Sequence, residues 1–482
     1  MKRLHSIARC GFVLTLLVAA SLLQVQSQAQ GSRPHRIAVF GSSVANGTGD
    51  EFGKEGYTGM LREMFAPRGW EVVNQSRGGD TTITMAPRFA PQGAPDPKVR
   101  YLLPANPGYV VIGLSLANEG IFEATTKQEK DAVFKQYAEG IKGFVDRSRE
   151  HNIVPVVALV YPRMVYTPVE YEYVRRMNVL QSSGDAPTVN FLGALDDGTG
   201  RYANGFDFDD KHPNAAGHRE FLYAFVPTLF EALDKGKPDP AKSKSPSFAR
   251  VSGGSAPLTF TPQDTMHAFA FAITVRAQGD GTVAAIDGHV LTAATETKRL
   301  DRGAGRSVEF QSTSLSAGKP FTATVGIQRG AWTYKPAGGN PIVSSVNADG
   351  LWHQLVVSHY MARGETLFFV DGKLAGRTAE RLEPSRFVIG GAGGAEAAPS
   401  PKQADFKDLL LYRAGLNGDE VAALHQGTLL KASLEVYSPL ADARFDPGSP
   451  VENRAQSMTS VKTESRTVVH MDNDPLVSDR RP

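Results

Sequence analysis

Between residues 36 and 233 short apolar runs alternate with stretches in which apolar side chains recur at helical spacing. "RIAVF", "EVVNQ", "YVVIGLS" and "IVPVVALVY" are rich in Val and Ile without polar alternation, as expected of parallel strands covered on both faces. Between them Tyr57, Met60, Leu61, Met64 and Phe65 share one helical face, and Phe134, Tyr137, Ile141, Phe144 and Val145 share another. Strand and helix in alternation predict a parallel α/β sandwich, in which ligands sit beyond the carboxyl ends of the strands. "FGSSVANG", residues 40 to 47, lies at the first such end.

The pattern changes after "DKGKPDPAKSKSPS", residues 234–247, a Pro-, Lys- and Ser-rich stretch that reads as an interdomain linker. Beyond it, short strand-like runs such as "FAFAITVRA", "GTVAAIDG", "TATVGIQRG", "WHQLVVSHY" and "TLFFVDGKLAG" are separated by Gly, Asn and Asp. These predict an all-β sandwich. Asp371-Gly372 between apolar flanks predicts a hairpin, "NGDEVAALHQG" predicts one late helix, and the polar residues from about Ala455 are expected to fray.

Composition narrows the class. A chain of 482 residues exceeds one ordinary core, so two domains are expected, and 41% apolar with 21% charged residues is a soluble, globular balance. Lys2, Arg3 and Arg9 precede an apolar stretch from Phe12 to Leu23, and "SQA" ends at Ala29. Residues 1–29 therefore read as a secretory signal peptide, with an uncleaved anchor as the alternative. The single cysteine, Cys10, lies inside it. The mature chain would then hold no thiol, which excludes thiol nucleophiles, zinc thiolates and disulfides. Removing the leader takes the formal charge from +2 to −1, which gives no support to nucleic-acid binding. No later run has the length of a membrane span. The expected location is secreted or periplasmic.

The chemistry-bearing stretch is "DFDDKHPNAAGH", residues 207–218. Asp209 and His212 stand three apart in a loop, where a carboxylate can orient an imidazole and favour its protonated form. A serine hydroxyl needs such a base before it attacks a carbonyl, and an acyl-transfer site also needs donors for the oxyanion. "NQSRGGDTT" (74–82) offers backbone at Gly78 and Gly79, and "GLSLANEG" (113–120) offers the Asn118 amide. Each follows a predicted strand. Asp207, Asp209 and Asp210 could instead face a cation but lack the spacing of a calcium loop, and His218 reads as a packing or capping residue.

In order, "FGSSVANG", "NQSRGGDT", "LSLANE" and "DDKHPN" resemble the four blocks of the SGNH, or GDSL-type, hydrolases. These are esterases, lipases and carbohydrate deacetylases on a flavodoxin-like α/β/α three-layer fold. The resemblance covers residues 33–233. It implies Ser43 as nucleophile, Asp209 and His212 as its partners, and the Ser43 amide, Gly79 and Asn118 as the oxyanion hole. No cofactor or metal enters the reading. Two positions depart from the family pattern: Ser42 replaces the Asp of Gly-Asp-Ser, and Leu116 and Glu119 flank Asn118 where the family has Gly and Asp. Ser42 is expected to bond the turn and to offer a rival nucleophile, and Leu116 to place bulk beside the site.

Residues 249–430 resemble laminin-G-like, concanavalin-type jelly rolls, carried by "WHQLVVSHY", "LFFVDGKLAG", "FVIGG" and "DFKDLLLYRAGLNGDEVAAL". The resemblance implies a glycan or protein ligand, while Trp352 itself reads as core. Residues 431–482 are expected to be a partly disordered extension. The expected function is that of a secreted serine esterase removing small acyl groups, acetyl first among them, from carbohydrate. The alternatives are a lipolytic or thioester hydrolase on the same triad and a non-catalytic glycan-binding adhesin.

Overall fold

The computed structural model describes residues 33–252, 258–301, 307–390, 401, 403–441, 450–463 and 470–473; the expected leader at 1–29 lies outside them. Five strands, β1 (Arg36–Gly41), β2 (Glu71–Asn74), β3 (Tyr109–Gly113), β4 (Val154–Ala158) and β5 (Thr188–Val189), form one parallel sheet. Their order is β2-β1-β3-β4-β5, the flavodoxin-like winding in which the chain reverses direction between β1 and β3. Ile37 through Phe40 are fully buried, which is why the run shows no polar alternation.

Helices α1 (Gly56–Phe65), α2 (Lys127–Glu150), α3 (Pro168–Ser182), α4 (Ala215–Tyr223) and α5 (Leu229–Asp234) complete this region. One sheet face packs on Tyr57, Leu61, Phe65 and Phe221, the other on Tyr137, Ile141, Phe144 and Met177. Helix α2 starts at a capping box in which the Thr126 hydroxyl accepts from the Glu129 amide and the Glu129 carboxylate from the Thr126 amide, closing two otherwise orphaned donors.

From residue 247 onward the described residues form a β-sandwich with one helix. Its strands are β6 (Ser247–Ser252), β7 (Leu258–Phe260), β8 (Phe269–Ala277), β9 (Gly281–Asp301), β10 (Ser307–Gln328), β11 (Ala331–Lys335), β12 (Ile342–Asn347), β13 (His353–Tyr360), β14 (Glu365–Val370), β15 (Lys373–Ala379), β16 (Leu382–Ile389), β17 (Gln403–Tyr412) and β18 (Leu434–Ser438), with β19 (Pro450–Val451), β20 (Val461–Thr463) and β21 (His470–Asn473) at the edges. One sheet runs β12-β11-β10-β9-β16-β7-β20-β19, the other β15-β14-β13-β8-β17-β6-β21, with β18 added beside β17. Phe271, Ile273, Ile286, Trp332, Phe387 and Leu411 share the core between them. Asp371 and Gly372 take positive φ of 51° and 76°, the geometry of a tight hairpin turn, and α6 (Gly418–His425) is the late helix.

Ordered packing continues past residue 430: Leu434, Val436 and Tyr437 of β18 are buried, and the Asn453 side chain donates to Glu435 and Thr459 carbonyls. The stretch after α5 is fastened to this region. Lys237 Nζ donates to Ser457 O at 2.7 Å and the Ser243 amide to Tyr437 Oη at 2.7 Å.

The two regions share a core. Leu291, Met361 and Ala362 cluster with Tyr202, Phe206 and Phe221. Arg413, 1% exposed, donates to Tyr223 O and pairs with Glu435 at 2.7 Å. Glu220 meets His267 at 2.9 Å, and Asn190 Nδ2 donates to Glu420 at 2.9 Å. The hairpin of β9 and β10 goes furthest. Its strands hold 21 and 22 residues, roughly 70 Å of extended chain each, and its outer half leaves the sandwich to lie along the α/β region.

Candidate active site

The first βα turn brings Ser43 to the carboxyl end of β1. Gly41 is required there by close approach, since a Cβ on it would stand 2.0 Å from Gly113 O. The Ser42 amide donates to that same carbonyl at 3.0 Å. The turn therefore grips β3, and Ser43 sits at the crossover between β1 and β3. The Ser43 side chain faces His212, whose Nε2 lies 2.9 Å from Ser43 Oγ. On the far side of the ring, Nδ1 is 2.8 Å and 3.0 Å from the two Asp209 oxygens, so Nδ1 carries the proton and Nε2 is free to accept one.

Asp209 also accepts from the Lys211 and His212 amides, both at 2.9 Å. Burial pushes its carboxyl up, but the imidazole and the two amides outweigh burial and hold it below the usual carboxylate range. The loop bearing both residues is held on several sides. Met164 N donates to Asp210 O, Tyr202 Oη to Lys211 O, and Phe208 N to His212 O.

The sandwich holds this loop as well. Asn214, fully buried, caps α4 by accepting from Gly217 N, and its Nδ2 donates to Gly205 O and to Gln311 O of β10 at 2.8 Å. Thr313 N donates to Gly205 O at 3.0 Å, and the Phe310 ring packs on Phe208 with centroids 5.0 Å apart.

The donor side is formed by the loops after β2 and β3. Gly79 has φ +80°, a left-handed conformation that glycine adopts without strain. Neither the Ser43 nor the Gly79 amide donates to an acceptor among the described residues. Asn118 Nδ2 donates to Asp80 O at 3.2 Å, which leaves its second N–H unspent, and its Oδ1 accepts from Arg163 at 2.6 Å. The structure thus brings Ser43, Asp209 and His212 into one hydrogen-bonded chain, and holds Gly79 and Asn118 together through Asp80.

Residues 39–220 match the family described as GDSL-like Lipase/Acylhydrolase. Over those residues the first region matches the GDSL-type hydrolases. Similar solved structures include a lipolytic protein assigned to the G-D-S-L family from Desulfitobacterium hafniense DCB-2, at 19% identity, covering 39% of this chain and 97% of that one with a TM-score of 0.31. An acetylxylan esterase from Geobacillus stearothermophilus is 15% identical over 41% of this chain and 95% of its own, TM-score 0.30. A heptameric SAP-like pentraxin from Limulus polyphemus is 12% identical over 41% of this chain and 94% of its own, TM-score 0.25. No curated protein matches.

The departures of this GDSL-type domain from the family pattern resolve differently from expectation. The Ser42 hydroxyl does not bond the turn: it is fully buried and has no partner among the described residues, while His212 addresses Ser43. Leu116 does not crowd the site, because its side chain is fully buried among Ile112, Leu114 and Tyr137. Glu119, in place of Asp, reaches across to the next loop, accepting from the Thr82 amide at 2.9 Å, the Thr82 hydroxyl, and Gln136 at 3.1 Å. His218 bridges Thr48 O and the Tyr57 amide, and burial pushes its pKa down to about 4.

Sequence reasoning missed Asp80, Asn214 and Phe310, and named Glu119 without giving it a partner. Asp80, 1% exposed, accepts from Arg77, Arg88 and Thr84 and so fixes the carbonyl that orients Asn118. The only available signal was an acid directly after Gly-Gly. Nothing in the sequence pairs Phe310 with Phe208.

Proposed function

We propose that this chain is an exported serine esterase that removes short acyl groups, acetyl first among them, from carbohydrate. The observation that carries the esterase reading is the unbroken chain Asp209–His212–Ser43, with His212 Nε2 at 2.9 Å from the hydroxyl. In this mechanism Ser43 Oγ attacks the ester carbon while its proton passes to Nε2, and Asp209 holds the imidazolium that results. The carbonyl oxygen becomes an oxyanion beside the amides of Ser43 and Gly79 and the free N–H of Asn118. Nε2–H then protonates the departing alkoxide, leaving an acyl-Ser43. Water attacks this acyl group, giving its proton to Nε2, and Ser43 takes the proton back as the carboxylic acid leaves.

The rim supports a bulky alcohol: Gly78 and Gly79 are exposed, and a Cβ on Gly79 would meet nothing within 4 Å. A polymer can rest against such an edge. The sandwich, as a concanavalin-type module, would add glycan contacts. Hydrolysis of p-nitrophenyl esters of increasing chain length tests this reading. Acetate preferred over octanoate supports it, octanoate preferred means a lipolytic enzyme, and no turnover with any ester leaves a binding protein.

A further inference from the structure

We propose that Arg163 is a positioning residue for the oxyanion hole, turning the Asn118 amide toward the ester and placing a positive charge behind it. This rests on the esterase reading above. Arg163 follows β4 in "VYPRMVY" and is 5% exposed. Its Nη2 donates to Asn118 Oδ1 at 2.6 Å. A guanidinium only donates, so the amide oxygen must face Arg163 and the NH2 must face away. Without that lock, rotation of the amide by 180° would aim a carbonyl oxygen at the developing negative charge.

The charge is the second observation. A buried guanidinium without a counter-ion is costly, and this chain elsewhere avoids it: buried Arg88 pairs with Asp80 and Arg413 with Glu435. Arg163 pairs with no carboxylate among the described residues, and its Nε is buried without a hydrogen-bond partner. Its near neighbours are the phenols of Tyr161, Tyr166 and Tyr202. A positive charge with no carboxylate counter-ion among the described residues, in contact with an oxyanion donor, is compensated most when the ester oxygen turns negative. It therefore acts on the transition state more than on substrate binding.

The backbone gives a third. The Arg163 amide donates to Gly200 O at 2.9 Å, and the next amide, Met164 N, donates to Asp210 O at 3.1 Å. One turn thus holds Asn118 through a side chain and the Asp209–His212 loop through the backbone, which fixes the donor and base halves of the site relative to each other.

The test is steady-state hydrolysis of p-nitrophenyl acetate by the full chain and its variants, with folding followed by circular dichroism. Arg163→Met is expected to lower kcat by about 10²-fold and leave KM within about twofold. In an Asn118→Ala background the same change should cost less than about threefold, because the residue it acts through is gone. Arg163→Gln keeps a donor without the charge and should fall between, and it serves where Arg163→Met does not fold. A folded Arg163→Gln or Arg163→Met with unchanged kcat, or losses that multiply in the double variant, would overturn the inference. Failure of the unsubstituted chain both to hydrolyse esters and to be labelled at Ser43 by a fluorophosphonate would overturn the esterase reading, and this inference with it.

Discussion

The Phe310 ring, from the all-β region, packs against Phe208 of the GDSL-type domain with centroids 5.0 Å apart, four residues from His212. The loop of Asp209 and His212 is therefore backed by a part of the chain that looks, in sequence, like a separate module. Phe310→Ala removes a buried ring, a change that costs about 3–5 kcal/mol at well-packed sites. We expect kcat on p-nitrophenyl acetate to fall at least about tenfold with a small change in KM, read together with a lowered Tm.

Truncation after Lys244 should abolish activity on small esters and on acetylated polymer alike. It strips Gln311 from Asn214 and exposes Glu220, Asn190 and the apolar patch beneath Met361. Full activity of the truncated domain on p-nitrophenyl acetate would show that the two regions are independent.

Ser43→Ala should lower turnover by at least about 10³-fold while the chain stays folded. Ser42→Ala should remain active. Its hydroxyl is buried without a partner among the described residues, and such a group costs about 1–3 kcal/mol, so the variant should melt at the same temperature as the parent or higher. Thermal scans and initial rates of both variants check this pair of outcomes.

Asp209→Asn should cost roughly 10⁴-fold in kcat, as expected when the partner that fixes a catalytic imidazole loses its charge. The Asp209 carboxyl is held below the usual carboxylate range. Its stabilising contribution is present above the carboxylate range and lost as pH falls through its folded value. The parent enzyme should lose stability, and activity with it, as pH falls through the Asp209 value, and the Asp209→Asn variant should be slow throughout. Rates across a pH series separate these cases.

Glu420 predicts how the interface responds to pH. It is 1% exposed in the capping box of α6, accepts from Asn190 and from the Asn417 amide, and burial pushes its pKa up to about 8. A folded value above the unfolded one means that stability is fully present below the unfolded pKa and is lost as pH rises through the folded one. The Tm should therefore decline from about pH 5 to about pH 9. Glu420→Met leaves two donors unpaired and should melt lower at every pH, with a shallower slope.

The parallel sheet and the sandwich strands were legible because each buries apolar side chains at a fixed period. "FAFAITVRA" coincides with β8, and "RIAVF" with β1 apart from its last glycine. The outer half of the β9–β10 hairpin was not legible. Its Thr, Glu, Lys and Ser residues show no apolar alternation, since most of them are exposed and few face a core. Ser43, Asp209 and His212 carried a local signal, each lying in a turn with the residue types its chemistry needs. Asn214 and Arg163 carried none, because what gives them meaning is a partner distant in sequence: Gln311 lies 97 residues from Asn214, and Arg163 lies 45 from Asn118.

The reach of that hairpin also sets the order of events during synthesis. The loop of Asp209 and His212 acquires its outer support only when the backbone of Gln311 and Thr313 arrives, and those contacts, to Asn214 and Gly205, span 97 and 108 residues. Non-local pairings of this kind form late. A growing chain that has already released the whole GDSL-type domain from the ribosome still lacks the wall that Phe310 supplies. On the esterase reading proposed above, hydrolytic competence is then acquired near the end of folding, once the second half of the chain is in place.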